Sequence, residues 1–292
     1  MGVHCETTAT DVLVSHLGLS EPMLFGLGSG LGFIYWETGG VPFLGGRVKP
    51  FELTRNLVER LGLTLRVSET SSARKAWQNV VTALEDGPVG LQLDSYHLEY
   101  FTSKIHFGGH FVAMTGYTDA DALLVDTDQQ GGAVRTSLSS LALARAERGP
   151  MTARNRSYTI SGEGRVTRDV VVDAVRRTAL AYLDPPISNL GHRGVRKAAA
   201  RMLRWGDADL GLVAGLMERG GTGGSLFRAL YRDFLGECGT WVDVRAYDAF
   251  CGIAPLWTDA AKLIESGSPA EASSVLLEVA DREEAAMRLL AG

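Results

Sequence analysis

The pattern of apolar and polar positions changes near residue 165 and divides the chain into two parts. Before that point, short apolar runs alternate with stretches of helical periodicity, a mixture typical of strands interleaved with helices. After it, the strand signals disappear and helical periodicity continues almost to the last residue. The pattern therefore predicts an α+β fold, with an N-terminal domain over residues 1–155 and an all-helical domain over residues 165–292.

The same periodicity predicts the individual elements. In the first part, helices are predicted over residues 6–17, 51–61 and 73–86. Strands are predicted over residues 63–67 and 87–94, with a hairpin of 111–117 and 122–126 and a further strand and helix within 135–146. In the second part, the predicted helices cover residues 168–183, 194–205, 208–219, 224–237, 255–266 and 269–290.

Composition and charge argue against several classes of protein. The net charge of the 292 residues is −5, whereas a nucleic-acid binder is more often basic. No apolar run is long enough for a membrane span, and no basic segment with an apolar core begins the chain, so a secretory signal is not expected. Three cysteines without a CxxC pair disfavour a disulfide framework or a zinc ribbon and favour a cytoplasmic protein.

Three residues could together form an acyl-transfer site. Cys5 precedes the first predicted helix, where the positive end of the helix dipole stabilises a thiolate. His110 opens one strand of the predicted hairpin and Asp126 closes the other, so the two side chains are expected at the same end of the sheet. A cysteine nucleophile, a histidine base and an orienting aspartate are the parts of a catalytic triad.

Each of these residues also has a structural interpretation. Cys5 could be a buried and inert thiol, and His110 a core histidine. Asp126 could be a turn residue, in which case Asp128 is the alternative third member. The remaining histidines do not form a metal-ligand spacing with the cysteines. A zinc site of Cys5, His106 and His110 is conceivable in space, but no metal and no cofactor are expected.

Two segments are candidates for substrate binding. The glycine run at residues 26–32 fits no dinucleotide, ATP or serine-nucleophile motif, so Gly28, Ser29 and Gly30 are expected either in tight turns or in a pocket wall. Tyr96 belongs to a polar and aromatic segment before His110 that could recognise an acceptor substrate, or could simply be a surface loop.

A basic helix is predicted in the second part of the chain. Arg193, Lys197, Arg201 and Arg204 follow one another at spacings that share a helix face. Such a face suits an acidic partner, for example a carrier protein, although an ordinary solvated face has the same pattern.

Several motifs together resemble the butirosin biosynthesis protein H family. The resemblance rests on the segments at residues 4–7, 25–33, 44–47, 87–89, 94–100 and 108–110. The second part is similar to the uncharacterised helical domain that often follows that family's N-terminal domain, notably at residues 189–194 and 223–235. The resemblance covers nearly the whole chain.

The resemblance implies a papain-like domain and a function in synthesis. The named family member transfers an aminoacyl chain from a carrier-protein thioester to an amine on an aminoglycoside. Carried over, Cys5 is the acyl acceptor, His110 the base and Asp126 the orienting residue. No Gln precedes Cys5, in contrast to papain-like proteases, so oxyanion donors are expected from the backbone N–H of Cys5 and a second group.

The sequence therefore favours an acyltransferase of secondary-metabolite biosynthesis, including antibiotic biosynthesis. Its expected partners are an acyl or peptidyl carrier protein and a small-molecule amine, and a homodimer is a further expectation. Two alternatives remain open. The same triad could serve a cysteine hydrolase (peptidase, amidase or thioesterase) or a cyclase, or the chain could be a non-catalytic binding protein that keeps the papain-like shell.

Overall fold

The computed structural model describes residues 2–38, 41–102, 104–149, 151–152, 154–206, 209–218 and 222–292. Its helices are α1 (Cys5–Leu13), α2 (Glu21–Leu27), α3 (Glu52–Leu61), α4 (Ala73–Leu84), α5 (Leu138–Ala146), α6 (Arg168–Leu183), α7 (Gly191–Met202), α8 (Leu210–Glu218), α9 (Gly224–Cys238), α10 (Val244–Glu265) and α11 (Pro269–Ala291). Its strands are β1 (Leu31–Thr38), β2 (Val41–Arg47), β3 (Thr64–Ser68), β4 (Val89–Leu93), β5 (His110–Tyr117), β6 (Asp121–Val125), β7 (Ala133–Ser137) and β8 (Ser157–Ser161).

The chain divides into two units that are not continuous in sequence. The first runs to Leu24 and resumes over Pro50–Arg165, and the second comprises Phe25–Lys49 and Val166–Gly292. This division differs from the predicted 1–155 and 165–292 in two places. Residues 25–49 lie in the second unit, and β8, beyond the predicted end of the first domain, lies in the first.

The first unit is built on an antiparallel sheet. Within the described residues, its strand order is β3-β8-β4-β5-β6-β7. The predicted hairpin is present as β5 and β6, paired through Ala113 with Val125 and Met114 with Leu124. Because the two strands are antiparallel neighbours, the start of β5 and the end of β6 lie at the same end of the sheet. His110 and Asp126 are at that end.

The apolar core of the first unit forms where β4, β5 and β6 pack against helices α4 and α5. The strands supply Leu91, Val112 and Leu124, and the helices supply Val80 and Leu141, all fully or almost fully buried. Burial of such side chains contributes about 25 cal/mol for each Å² of apolar surface removed from water. The core therefore fixes the strand ends that carry the candidate site.

The second unit combines the helices α6 to α11 with the hairpin of β1 and β2. A buried ion pair lies at its centre, since Arg228 donates to Glu283 at 2.7 and 3.0 Å and neither side chain is exposed. Trp257 donates to the same carboxylate at 2.8 Å, and Arg228 also donates to the carbonyl of Gly46 in β2 at 2.9 Å. These bonds connect helices α9, α10 and α11 to the hairpin.

Most predicted helices of the second part are present, with two differences of start. Helix α7 begins at Gly191 rather than at residue 194. Helix α10 begins at Val244 rather than near residue 255, and Pro255 lies inside it. A proline is favoured in the first turn of a helix, so the periodic stretch from residue 255 resembles a helix of its own. Residues 208 and 219, the limits of another predicted helix, lie outside the described residues. In the described part of the chain, no helix has the length and apolarity needed to cross a membrane.

Candidate active site

Cys5 is the first residue of α1, in the position that the sequence predicts for a nucleophile. The segment before it is held by Glu21, whose carboxylate accepts hydrogen bonds from the backbone N–H groups of Val3 (2.9 and 3.0 Å) and His4 (2.9 Å) and from the Thr7 hydroxyl (2.6 Å). The thiol is partly exposed. As the first helical residue, Cys5 also has a backbone N–H outside the intrahelical bonding pattern, which can donate to an oxyanion.

Glu6, the residue after Cys5, fixes the position of α1 against α3. Its fully buried carboxylate accepts hydrogen bonds from the backbone N–H groups of Phe51 (3.2 Å) and Thr54 (3.1 Å) and from the Thr54 hydroxyl (2.9 Å). The N-cap of α3 is Phe51, which has no capping side chain of its own. Glu6 therefore satisfies N–H groups that α3 leaves unpaired, and a negative charge there is favoured by the helix dipole.

His110 and Asp126 form a buried pair. His110 Nε2 lies 2.7 Å from Asp126 Oδ2, and the Asp126 side chain is completely buried. The other carboxylate oxygen accepts the backbone N–H of Thr127 at 2.7 Å. The side chain of Cys5 is the second hydrogen-bonding partner of His110. Because Nε2 is engaged by Asp126, Nδ1 is the ring nitrogen left to face the thiol.

Electrostatic interactions within the site favour the charged forms of His110 and Asp126. Burial alone would lower the pKa of His110, but the charges of Asp126 and Cys5 and hydrogen bonds to both raise it to about 10. Burial alone would raise the pKa of Asp126, but the charge of His110 and hydrogen bonds from His110, Thr127 and Tyr100 lower it. An imidazolium at neutral pH is therefore held between a carboxylate and the cysteine sulfur.

Two aromatic residues that the sequence analysis did not assign to the site complete its surroundings. The Tyr100 hydroxyl donates to Asp126 Oδ2 at 2.9 Å, and the Phe101 ring packs edge-on against His110 with ring centroids 5.0 Å apart. Burial and the charges of Asp126 and Cys5 raise the pKa of Tyr100, so its hydroxyl stays protonated and remains a donor. Both residues follow Tyr96 in the segment before His110, and this clustering of aromatic residues is the sequence signal nearest to them, although it does not indicate their contacts.

The other predicted site residues lie elsewhere. Asp128, the alternative third member, is exposed, and its backbone N–H donates to the carbonyl of Gly2 at 3.0 Å. Tyr96 lies in the first unit, where its ring stacks on His106 with centroids 4.0 Å apart. Gly28, Ser29 and Gly30 belong to the second unit and are buried there.

The glycine run ends α2 and allows close packing in the second unit. The N–H of Ser29 bonds to the carbonyl of Gly26 and that of Gly30 to Phe25, both at 2.9 Å, and Ser29 has φ +49°. This is a Schellman ending, in which a left-handed residue closes the helix. A Cβ on Gly26 would lie 2.1 Å from the ring of Phe234. These contacts account for the glycines as turn and packing residues.

The predicted basic residues lie on and just after α7, and three of them have partners within the second unit. Lys197 donates to the Asn189 side chain at 2.7 Å, and Arg201 pairs with Glu37 at 3.0 Å. Arg193 lies 3.5 Å from the exposed carboxylate of Asp184, and Arg204 is exposed. The charge that this face offers to a partner is therefore partly neutralised.

The first unit thus has a papain-like arrangement, with a cysteine at the start of a helix and a histidine and an aspartate on neighbouring strands of an antiparallel sheet. The predicted α+β fold, with a helical C-terminal part, is confirmed.

Residues 4–127 match the family described as Butirosin biosynthesis protein H, N-terminal, and residues 139–290 match a domain of unknown function, DUF4872. The second match spans more than half of the chain, which therefore belongs to the DUF4872 family. The N-terminal match precedes it, and the two domains follow in the order that the resemblance predicts.

Comparisons with curated proteins and with solved structures give no further information on function. No curated protein matches the chain. A crystal structure from Bacillus anthracis, described as a C39-like peptidase, has 13% sequence identity and a TM-score of 0.34, and the match covers 55% of this chain and 90% of that one. A likeness this weak supports no conclusion about the present protein.

Proposed function

We propose that this protein is a cysteine acyltransferase of natural-product biosynthesis. It takes an acyl or aminoacyl group from a carrier-protein thioester, holds it as a thioester on Cys5 and passes it to an amine. One observation supports this proposal above all. The cysteine at the start of α1 is paired with the buried His110–Asp126 couple, in a family that is named for the biosynthesis of butirosin.

In the first step, the Cys5 thiolate attacks the carbonyl carbon of the donor thioester. The backbone N–H of Cys5 donates to the oxyanion that forms. When the intermediate collapses, the bond between the acyl carbon and the carrier sulfur breaks, and the imidazolium of His110 protonates the departing sulfur. The acyl group is now bound to Cys5 as a new thioester, and His110 is neutral.

In the second step, the acceptor amine attacks the acyl-Cys5 carbonyl. His110 removes the proton from the attacking nitrogen as the C–N bond forms, and Cys5 leaves as a thiolate beside the restored imidazolium. An amide is more stable than a thioester, so the transfer needs no ATP. Asp126 holds the imidazole in one orientation and stabilises its charged form through both steps.

The carrier protein is proposed to dock through the basic residues of the helical unit. Carrier proteins are acidic, and charge complementarity raises the rate of association. Arg193 and Arg204 are the best-placed contacts, because both are exposed and the ion pair of Arg193 with Asp184 is long, at 3.5 Å. Lys197 and Arg201 have closer partners within their own unit.

The experiment is a product analysis with acyl-loaded carrier proteins as donors and a set of amines as acceptors. We expect an amide that requires both donor and amine, and no amide with Cys5→Ala. Cys251→Ala is the matched control, since Cys251 is an exposed cysteine of the second unit. If the only product were the free acid whatever amine was present, the transferase proposal would be wrong and the site would be that of a hydrolase.

A further inference from the structure

Three potential metal ligands meet in the first unit, away from the triad. His97 ends a short 3-10 turn after β4, His106 lies in the loop before β5, and Glu147 follows α5. One ligand atom from each residue lies within 4.8 Å of the others. His97 Nε2 and Glu147 Oε2 are 2.6 Å apart. The spacing of these three residues along the chain does not indicate the group, because the fold brings them together.

A buried carboxylate orients His106 toward the group. Asp94, only 3% exposed, has Oδ2 3.3 Å from His106 Nδ1, while its Oδ1 accepts the backbone N–H groups of Tyr96 (2.9 Å) and Phe107 (3.1 Å). The Tyr96 ring stacks on one face of the imidazole. With Nδ1 directed at Asp94, Nε2 is the nitrogen that remains for a ligand. Metal-binding histidines usually donate their second ring N–H to a carboxylate in this manner.

We propose that His97, His106 and Glu147 bind a divalent transition-metal ion, for which Zn²⁺ is the best match. Two imidazoles and one carboxylate suit Zn²⁺, whereas Mg²⁺ and Ca²⁺ prefer oxygen ligands alone. Ligands of a tetrahedral zinc ion at about 2.0–2.1 Å are separated by about 3.3 Å. The His97–Glu147 pair therefore has to open by only a fraction of an ångström, and water completes the fourth position.

The ion would connect the segment before His110 to the end of α5. Tyr100 and Phe101 lie between the two histidine ligands in sequence, and they contact Asp126 and His110 respectively. A bound metal thus restrains the segment that supports two members of the triad. Its role is structural, and it touches none of the reacting atoms.

The test is a Co²⁺ titration of the full chain with Cys5→Ser and Cys251→Ser, which removes the partly exposed and the exposed thiol. We expect visible d–d bands without thiolate charge-transfer absorption, displacement of Co²⁺ by Zn²⁺, and a higher melting temperature with Zn²⁺. His97→Ala, His106→Ala and Glu147→Gln should each lose the bands and the stabilisation. His16→Ala is the matched control, because His16 is an exposed histidine bonded to the carbonyl of Gly162.

Circular dichroism of each variant separates loss of binding from loss of folding. His106 is more than half exposed, so His106→Ala is expected to fold. Retention of the cobalt spectrum by folded His97→Ala and His106→Ala would overturn the proposal. So would a thiolate charge-transfer band, or the absence of Zn²⁺ binding at micromolar protein concentration.

Discussion

At the scale of single residues, the charge state of the site depends most on Asp126. This carboxylate is completely buried, and its hydrogen bonds come from His110, Tyr100 and the backbone of Thr127. Together with Cys5, it raises the pKa of His110 to about 10 in spite of burial. The imidazolium, which is the proposed acid for the leaving sulfur, therefore persists through neutral pH and is lost only as the pH rises toward 10.

Replacing Asp126 should move this loss to lower pH. In Asp126→Asn, the negative charge that favours the imidazolium is gone, while burial still disfavours it. We expect the alkaline limb of the acylation rate to move down by about 1 to 3 pH units. At neutral pH the rate should fall by no more than about twofold, because an imidazolium whose pKa lies about 1 to 3 units below 10 is still at least about half protonated there. The loss should grow steeply as the pH rises above the displaced limb, because a neutral imidazole is a poor acid. The pH profile of acylation with a small thioester measures both effects.

Asp128→Asn is the control for that experiment. It removes the same charge two residues along the chain, from an exposed side chain. Its alkaline limb should coincide with that of the unmodified protein. Equal displacement of the limb in the two variants would show that His110 does not depend on the Asp126 contact.

The sequence could predict Cys5, His110 and Asp126 because each lies at the end of an element, where periodicity gives its position. It could not assign Tyr100 or Phe101, whose contacts depend on the path of an irregular loop. Likewise, nothing in the separation of His97, His106 and Glu147 indicates a common site, since Glu147 is brought there by the packing of α5 against the sheet.

At the scale of elements, Glu6 links α1, the helix that begins at Cys5, to α3. Glu6→Gln keeps the size of the side chain but places an amide N–H₂ where an oxygen accepts backbone hydrogen bonds, and it removes the charge at the start of α3. We expect a loss of about 1–3 kcal/mol in the free energy of unfolding. Chemical denaturation of the protein, followed by fluorescence and circular dichroism, measures this loss.

Glu59→Gln makes the same change at an exposed position of α3 and should alter the free energy of unfolding by no more than about 0.5 kcal/mol. If Glu6→Gln had the same free energy of unfolding as this control, Glu6 would not stabilise the start of α3.

At the scale of the whole molecule, the sequence predicted the succession of a mixed part and a helical part, but not the assignment of residues 25–49. Their hairpin is held in the second unit by long-range hydrogen bonds. The backbone N–H of Tyr35 donates to the carbonyl of Asn189, and the Asn189 side chain donates to the carbonyl of Tyr35, both at 2.8 Å. Arg228 donates to the carbonyl of Gly46. Periodicity describes neighbours along the chain. It cannot show that a buried arginine 182 residues away donates a hydrogen bond to a glycine carbonyl.

The most direct test of the account is the mass of the intact protein after incubation with acyl-loaded carrier proteins and no amine. We expect a gain equal to the mass of the acyl group, located on the peptide that contains Cys5 and absent in Cys5→Ala. The adduct should disappear when the amine acceptor is added. A protein whose mass stays unchanged with every donor, and whose Cys5 reacts with iodoacetamide no faster than a free cysteine, would contradict the covalent mechanism.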